Sequence, residues 1–203
     1  MVTNEPYSKF KNVQIKRSMM IMTLIVFLST SIFAQSNTNN NLSSYIIKKD
    51  SVLQTHIGTE YPGFKAYTLK GESVSESNLQ NKITVINFWF QNCQPCIYEF
   101  ESLNKLFVDY ENNKDFQFIS FTSDSEVDAI PIVAKYKLPF TVCSISREEC
   151  YRLNFNQGFP TTIIVDKKGR VAYIKSGIPV DSEKIKMVFQ KYREIISNLL
   201  NTQ

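Results

Sequence analysis

From residue 64 onward the chain switches repeatedly between two hydrophobic periods. Lys65-Ala66-Tyr67-Thr68-Leu69 alternates polar and apolar positions, the period of a strand with one buried face, and it follows a turn at Tyr61-Pro62-Gly63-Phe64. Lys70-Gly71-Glu72 reads as a second turn, and Ser75 to Leu79 as a single helical turn. Ile83 to Phe90 is mostly apolar and β-branched or aromatic, which predicts a strand covered on both faces. The period then changes. Cys96, Phe100, Leu103, Phe107 and Tyr110 recur at alternating spacings of four and three, the stripe of an amphipathic helix. Phe116 to Phe121 is a second core strand, and Ser125 to Tyr136 a helix that Pro131 is expected to kink or interrupt. Phe140 to Ile145 reads as a strand and Arg147 to Leu153 as a short helix. Thr161 to Val165 and Arg170 to Ile174 flank a hairpin turn at Asp166-Lys167-Lys168-Gly169. Asp181 to Leu200 closes the chain as a helix capped by Asp181 or Ser182.

Strand–helix alternation followed by a hairpin and a helix predicts an α/β protein. Its central sheet is mixed, with parallel pairing through right-handed crossovers and helices on both faces. With 203 residues, 43% of them hydrophobic, the chain can bury a full core in one domain plus extensions.

Residues 1–34 have a different pattern. Basic residues end at Lys16-Arg17, an apolar stretch runs from Met19 to Leu28, and Ser29 to Ala34 leads to a small residue at a plausible cleavage point. This is the arrangement of a signal peptide, with an uncleaved N-terminal anchor as the alternative. The predicted location is therefore periplasmic or otherwise exported. Residues 35–57 read as an Asn/Ser/Thr-rich tether and a short element, and residues 58–203 as the folded domain. The leader also carries the charge: four of the 23 basic residues and one of the 19 acidic ones precede residue 35. The remaining 19 basic and 18 acidic residues nearly cancel, which argues against nucleic acid as a partner.

The chemistry lies in Cys93-Gln94-Pro95-Cys96, between the apolar strand and the amphipathic helix. A cysteine at a helix N-terminus has its thiolate stabilised by the helix dipole and by free backbone N–H groups. A second cysteine three residues on can close a disulfide ring with it. Asn87 to Cys96 resembles the active-site segment of thioredoxin-fold proteins, and in particular of the TlpA/ResA-like exported thiol–disulfide oxidoreductases. Gly158-Phe159-Pro160-Thr161-Thr162 resembles that family's cis-proline loop, and Ile163 to Arg170 its strand–turn–strand. Pro62 to Gly71 is similar to its N-terminal hairpin. The similarity extends over about residues 58–200.

The resemblance implies a thioredoxin fold with an N-terminal hairpin extension, and a set of roles. Cys93, exposed at the helix start, attacks a substrate disulfide, and Cys96, more buried, resolves the mixed disulfide. Pro160, in cis, brings the backbone of Phe159 alongside Cys93 and leaves no N–H beside the sulfur. Pro95 falls in the first helical turn, where a missing donor is harmless. Glu99, one turn after Cys96, handles protons at the pair in ResA-like members; the alternative is a solvated glutamate stabilised by the helix dipole. Asn87 stands where thioredoxins proper have a buried acid, so Glu99 is the better candidate base. Trp89, Asn92, Gln94, Pro95, Phe159 and Thr161 are expected on the substrate-binding surface, although Trp89 also suits the core. Asn92 replaces the tryptophan usual before the first cysteine, which should leave Cys93 more open.

Cys143 and Cys150 form a second pair, read as a structural disulfide with two separate thiols as the alternative. A zinc site is disfavoured by their wide spacing, and a haem attachment by Ile97 following Cys96. No metal and no cofactor beyond the Cys93–Cys96 disulfide is expected. A peroxiredoxin-like peroxidase is the enzymatic rival, but Ile86 and Phe90 occupy its proline and threonine positions. A binding module with a permanent disulfide is the non-enzymatic one. Gln94-Pro95 places no charge between the cysteines, and a carboxylate at Glu99 would oppose thiolate formation. Both features predict a reductase nearer the thioredoxin potential of about −270 mV than the oxidising extreme of about −120 mV. The implied partners are disulfide-containing exported proteins, apocytochrome c among them, and a membrane thiol-reductant donor.

Overall fold

The computed structural model describes residues 53–202, which belong to one compact unit. The leader and most of the tether lie outside the described residues. After a helical turn at residues 53–55, the strands are β1 (Lys65–Thr68), β2 (Ser73–Ser75), β3 (Ile83–Trp89), β4 (Phe116–Thr122), β5 (Thr141–Ser144), β6 (Thr161–Val165) and β7 (Val171–Ser176). The helices are α1 (Gln94–Tyr110), α2 (Glu126–Tyr136), α3 (Arg147–Leu153) and α4 (Ser182–Asn201), with a 3-10 turn at Glu76–Leu79.

The strands form one mixed sheet in the order β2-β1-β5-β4-β3-β6-β7. β3 pairs in parallel with β4, and β4 with β5, while β6 and β7 complete an antiparallel flank. The β1–β2 hairpin resembles an entry to the active-site strand only in sequence order. In space β1 docks antiparallel on β5, at the opposite side of β4 from β3.

β3 is buried throughout, and its alternating side chains serve two cores. Ile83, Val85 and Trp89 face α1 and α4, where they meet Phe100, Leu103, Leu106, Phe189 and Ile196. Ile86 and Phe88 face the other side and meet Phe64, Phe121, Leu153 and Ile163. Helices therefore cover both faces as the alternation predicts: α1, α2 and α4 on one, α3 on the other. Pro131 does not interrupt α2. A proline there removes the bond to the carbonyl of Val127, and Val127 is 80% exposed, on the solvent side of the helix. The caps follow the sequence: Ser125, Ser146 and Asp181 each accept a backbone N–H three residues on.

Candidate active site

Cys93 is the N-cap of α1, and its sulfur accepts the backbone N–H of Cys96 at 3.3 Å. The chain reaches this position by a tight turn in which Cys93 N–H donates to the Phe90 carbonyl (3.0 Å). Gln91 N–H is held by Asp124 Oδ2 at 2.6 Å, which fastens the loop to the end of β4. Cys93 and Cys96 are disulfide-bonded, with Cα atoms 5.3 Å apart. Pro95 sits in the first turn of the helix. The Phe159–Pro160 peptide is cis, as the resemblance implies.

The expected residues divide into two groups. Asn92, Gln94 and Pro95 are exposed and Phe159 is half-buried, all of them suited to a substrate surface. Trp89 and Thr161 are not. Trp89 is 0% exposed, because it shares the inner face of the central strand with Ile83 and Val85. Its ring packs edge-on against Phe100, and its indole N–H donates to Ser120 Oγ at 2.8 Å. Thr161 is equally buried at the start of β6, where its hydroxyl donates to the Gly158 carbonyl (2.8 Å). Both belong to the scaffold. Cys93 is also less open than expected, at 5% exposed, even with Asn92 in place of a tryptophan.

Glu99 is buried, 2% exposed, which removes the solvated alternative. Burial raises its carboxyl from the usual carboxylate range to about 8, while a hydrogen bond from Asn87 opposes the shift. Asn87 Nδ2 donates to Glu99 Oε1 at 2.7 Å and to Thr162 Oγ1 at 3.1 Å. Near neutral pH the carboxyl is therefore mostly protonated, so its charge opposes a Cys93 thiolate only at alkaline pH. This revises the electrostatic part of the sequence argument.

Cys143 and Cys150 are free thiols, not a disulfide. Cys143 on β5 and Cys150 on α3 each point into the second core, among Phe64, Phe121, Leu153 and Ile163. They pack there as small apolar side chains, and burial pushes both thiols up to about 12.

Sequence reasoning missed residues at the rim and beneath the site. Phe90 and Phe159 pack edge-on at 5.2 Å, and Tyr151 lies against Phe159 at 5.6 Å. The Arg147 guanidinium covers all three rings at 5.4–5.7 Å. Beneath the disulfide, Thr162 and Tyr192 join Asn87 and Glu99. Thr162 is visible only from strand register, since it faces Asn87 across the β3–β6 pair. The helical stripe of α4 points Tyr192 inward without indicating a polar partner.

Fold and site together define a thioredoxin-fold protein with a Cys-x-x-Cys redox pair at a helix N-terminus. The chain belongs to the AhpC/TSA family, whose model matches residues 57–174. It is 30% identical over 149 residues to the thioredoxin-like protein YneN of Bacillus subtilis, a match covering 72% of this chain and 85% of that one. It is 31% identical over 117 residues to the thiol-disulfide oxidoreductase ResA of Bacillus cereus, covering 57% and 66%. Among solved structures, a thioredoxin-family thiol:disulfide interchange protein of Chlorobium tepidum superposes with a TM-score of 0.57 at 20% identity, over 71% of this chain and 97% of that one. That likeness establishes the fold.

Proposed function

We propose that this thiol–disulfide oxidoreductase works in the reducing direction on the disulfides of other exported proteins. The observation that carries the reading is the Cys93–Cys96 disulfide at the N-cap of α1, and the uncharged Gln94-Pro95 between its cysteines, which adds no hold on a Cys93 thiolate, supports the reducing direction. In the reduced protein the Cys93 thiolate attacks one sulfur of a substrate disulfide. A Cys93–substrate disulfide forms, and the first substrate thiolate leaves and takes up a proton. The Cys96 thiol then gives its proton to Glu99 and attacks the Cys93 sulfur. The Cys93–Cys96 disulfide re-forms, and the second substrate thiolate is expelled. Two electrons pass from the dithiol to the substrate. A membrane thiol-reductant donor restores the dithiol.

Glu99 suits the resolving step in its ionised form: a carboxyl that titrates at about 8 keeps a minority carboxylate at neutral pH, basic enough to take the thiol proton, and that share grows as the pH rises toward 8. The cis bond at Pro160 supports the reading of the Phe159 backbone as the edge against which a substrate strand aligns. Asn92, Gln94 and Pro95 supply the rest of that surface. Export rests on the leader pattern of residues 1–34. Apocytochrome c is one substrate compatible with the reading. The peroxidase alternative loses support, because Phe90 stands at the threonine position with its ring packed on Phe159, leaving no hydroxyl there to meet a peroxide, and Ile86 at the proline position is buried in the core.

Trapping with Cys96→Ser tests the proposal. The variant is expected to retain exported proteins as dithiothreitol-sensitive mixed disulfides, and Cys93→Ser to retain none. A Cys93–Cys96 disulfide that resists mild thiols would make the protein a binding module. A glutathione titration that places the potential above roughly −170 mV would reverse the direction.

A further inference from the structure

The buried polar chain beneath the disulfide has a definite polarity. Asn87 on β3 and Thr162 on β6 are register partners, and both are buried. A side-chain amide has two N–H donors and one carbonyl acceptor. Asn87 gives one hydrogen to Glu99 Oε1 (2.7 Å) and the other to Thr162 Oγ1 (3.1 Å), and its Oδ1 is buried with no partner. Tyr192 of α4 stands beside Thr162 and Glu99. Tyr192 is itself buried, its ring edge-on to Phe189 at 5.1 Å and to Tyr173 of β7 at 5.9 Å.

With both N–H groups engaged and Oδ1 unpartnered, the amide meets its neighbours through its donor end. Turned over, it would present Oδ1 to Glu99 and Thr162, and both would have to donate to it. The direction of the Thr162 hydroxyl decides between the two states. While Thr162 Oγ1 accepts one amide hydrogen of Asn87, the amide keeps its other N–H on Glu99. A donor on the carboxyl favours the carboxylate; a carbonyl there favours the protonated acid.

We propose that Thr162 is a positioning residue for Glu99: by accepting one hydrogen of the Asn87 amide it holds the donor end of that amide on the carboxyl and so sets the pH at which the carboxyl releases its proton. The consequence for turnover rests on Glu99 acting as the proton acceptor of Cys96; the positioning itself does not. The groups facing Glu99 are few. β3 and β6 contribute Asn87 and Thr162, which do not titrate, and α4 contributes Tyr192, with Tyr173 of β7 behind it. Cys96 lies on Glu99's own helix and is disulfide-bonded. Burial holds Tyr192 well above the ordinary tyrosine value, so it stays neutral while Glu99 titrates.

The test is a carbon-13 NMR titration of the Glu99 side-chain carboxyl in the oxidised full chain. The expected wild-type midpoint is about 8. Thr162→Val is expected to raise it by about half a unit to one unit, and Thr162→Ser to restore it. If Thr162→Val titrates at the wild-type midpoint, the proposal is overturned, whatever it does to the melting temperature. A merely structural role would lower the melting temperature and leave the carboxyl unmoved. The readout is independent of turnover, so a protein that reduces no disulfide at all would remove the functional reading and leave this result standing.

Discussion

Two pairs of cysteines lie on opposite faces of one sheet, with opposite surroundings. Cys93 and Cys96 open a seventeen-residue helix, where a backbone N–H reaches sulfur and a buried carboxyl and amide lie one turn below. Cys143 and Cys150 sit in the aliphatic and aromatic core of the other face, where burial raises their thiols to about 12. In an exchange reaction only the thiolate is a competent nucleophile, so residue type alone does not confer reactivity. The first pair occupies a position that stabilises sulfur charge, and the second a position that suppresses it.

The largest contrast should appear in activity. Cys93→Ala is expected to abolish reduction of insulin disulfides. Cys143→Ala and Cys150→Ala should keep it and lose about 1–3 kcal/mol of stability, as small buried truncations do. Thiol titration of the reduced native protein should find Cys93 fastest and the buried Cys96 slower, with Cys143 and Cys150, the other two of the four cysteines, reacting only on unfolding. Four fast groups would erase the distinction between the faces.

A smaller effect concerns pH. The carboxyl of Glu99 is raised from 4.5 to about 8 in the folded protein, so between these values the unfolded chain has released a proton that the native state retains. Native protein then binds more protons than unfolded, and stability falls as pH rises through this window, by at most about 1.4 kcal/mol per pH unit. Below the window the group contributes no slope. Glu99→Gln should flatten the curve and be stabilising relative to wild type at pH above about 8. Parallel denaturation curves for the two proteins across the window would show that Glu99 is not held as described.

The smallest effect separates scaffold from site on the reactive face itself. Ser120→Ala leaves the Trp89 indole N–H buried without an acceptor and should cost about 1–3 kcal/mol with unchanged exchange kinetics. A change in substrate affinity would return Trp89 to the substrate surface.

These contrasts also mark what could be read before any coordinates. The strands and helices were legible because their periods are strong: the apolar run before Cys93, the four-three stripe after it, and the turn at Asp166 to Gly169 all lie where expected. Cys93, Cys96 and Pro160 were legible through the resemblance, since each motif is local. What depended on long-range register was not. Asn87 and Thr162 are 75 residues apart, and their meeting is a property of the β3–β6 pairing. Whether Glu99 points to solvent or to core turns on which flank of the helical stripe packs down, and sequence leaves both open. Of the two readings of Cys143 and Cys150, a structural disulfide or separate thiols, the second holds, and spacing and compartment could not decide between them because they carry no geometry. The hairpin was recognised as a hairpin, but nothing in its five-residue alternation reveals that β5 is its neighbour.

That docking bears on how copies of the chain behave toward one another. Without the hairpin, β5 would present a bare ladder of amides at the margin of the sheet, a template for strand addition. β1 covers it, and the new margin, β2, is three residues long and reads Ser-Val-Ser. At the far margin, Gly58 to Glu60 engage Val171 and Arg170 at the start of β7. One border of the sheet is thus shortened and the other shielded at the start of its strand, devices by which β-proteins limit edge-to-edge aggregation when they are crowded.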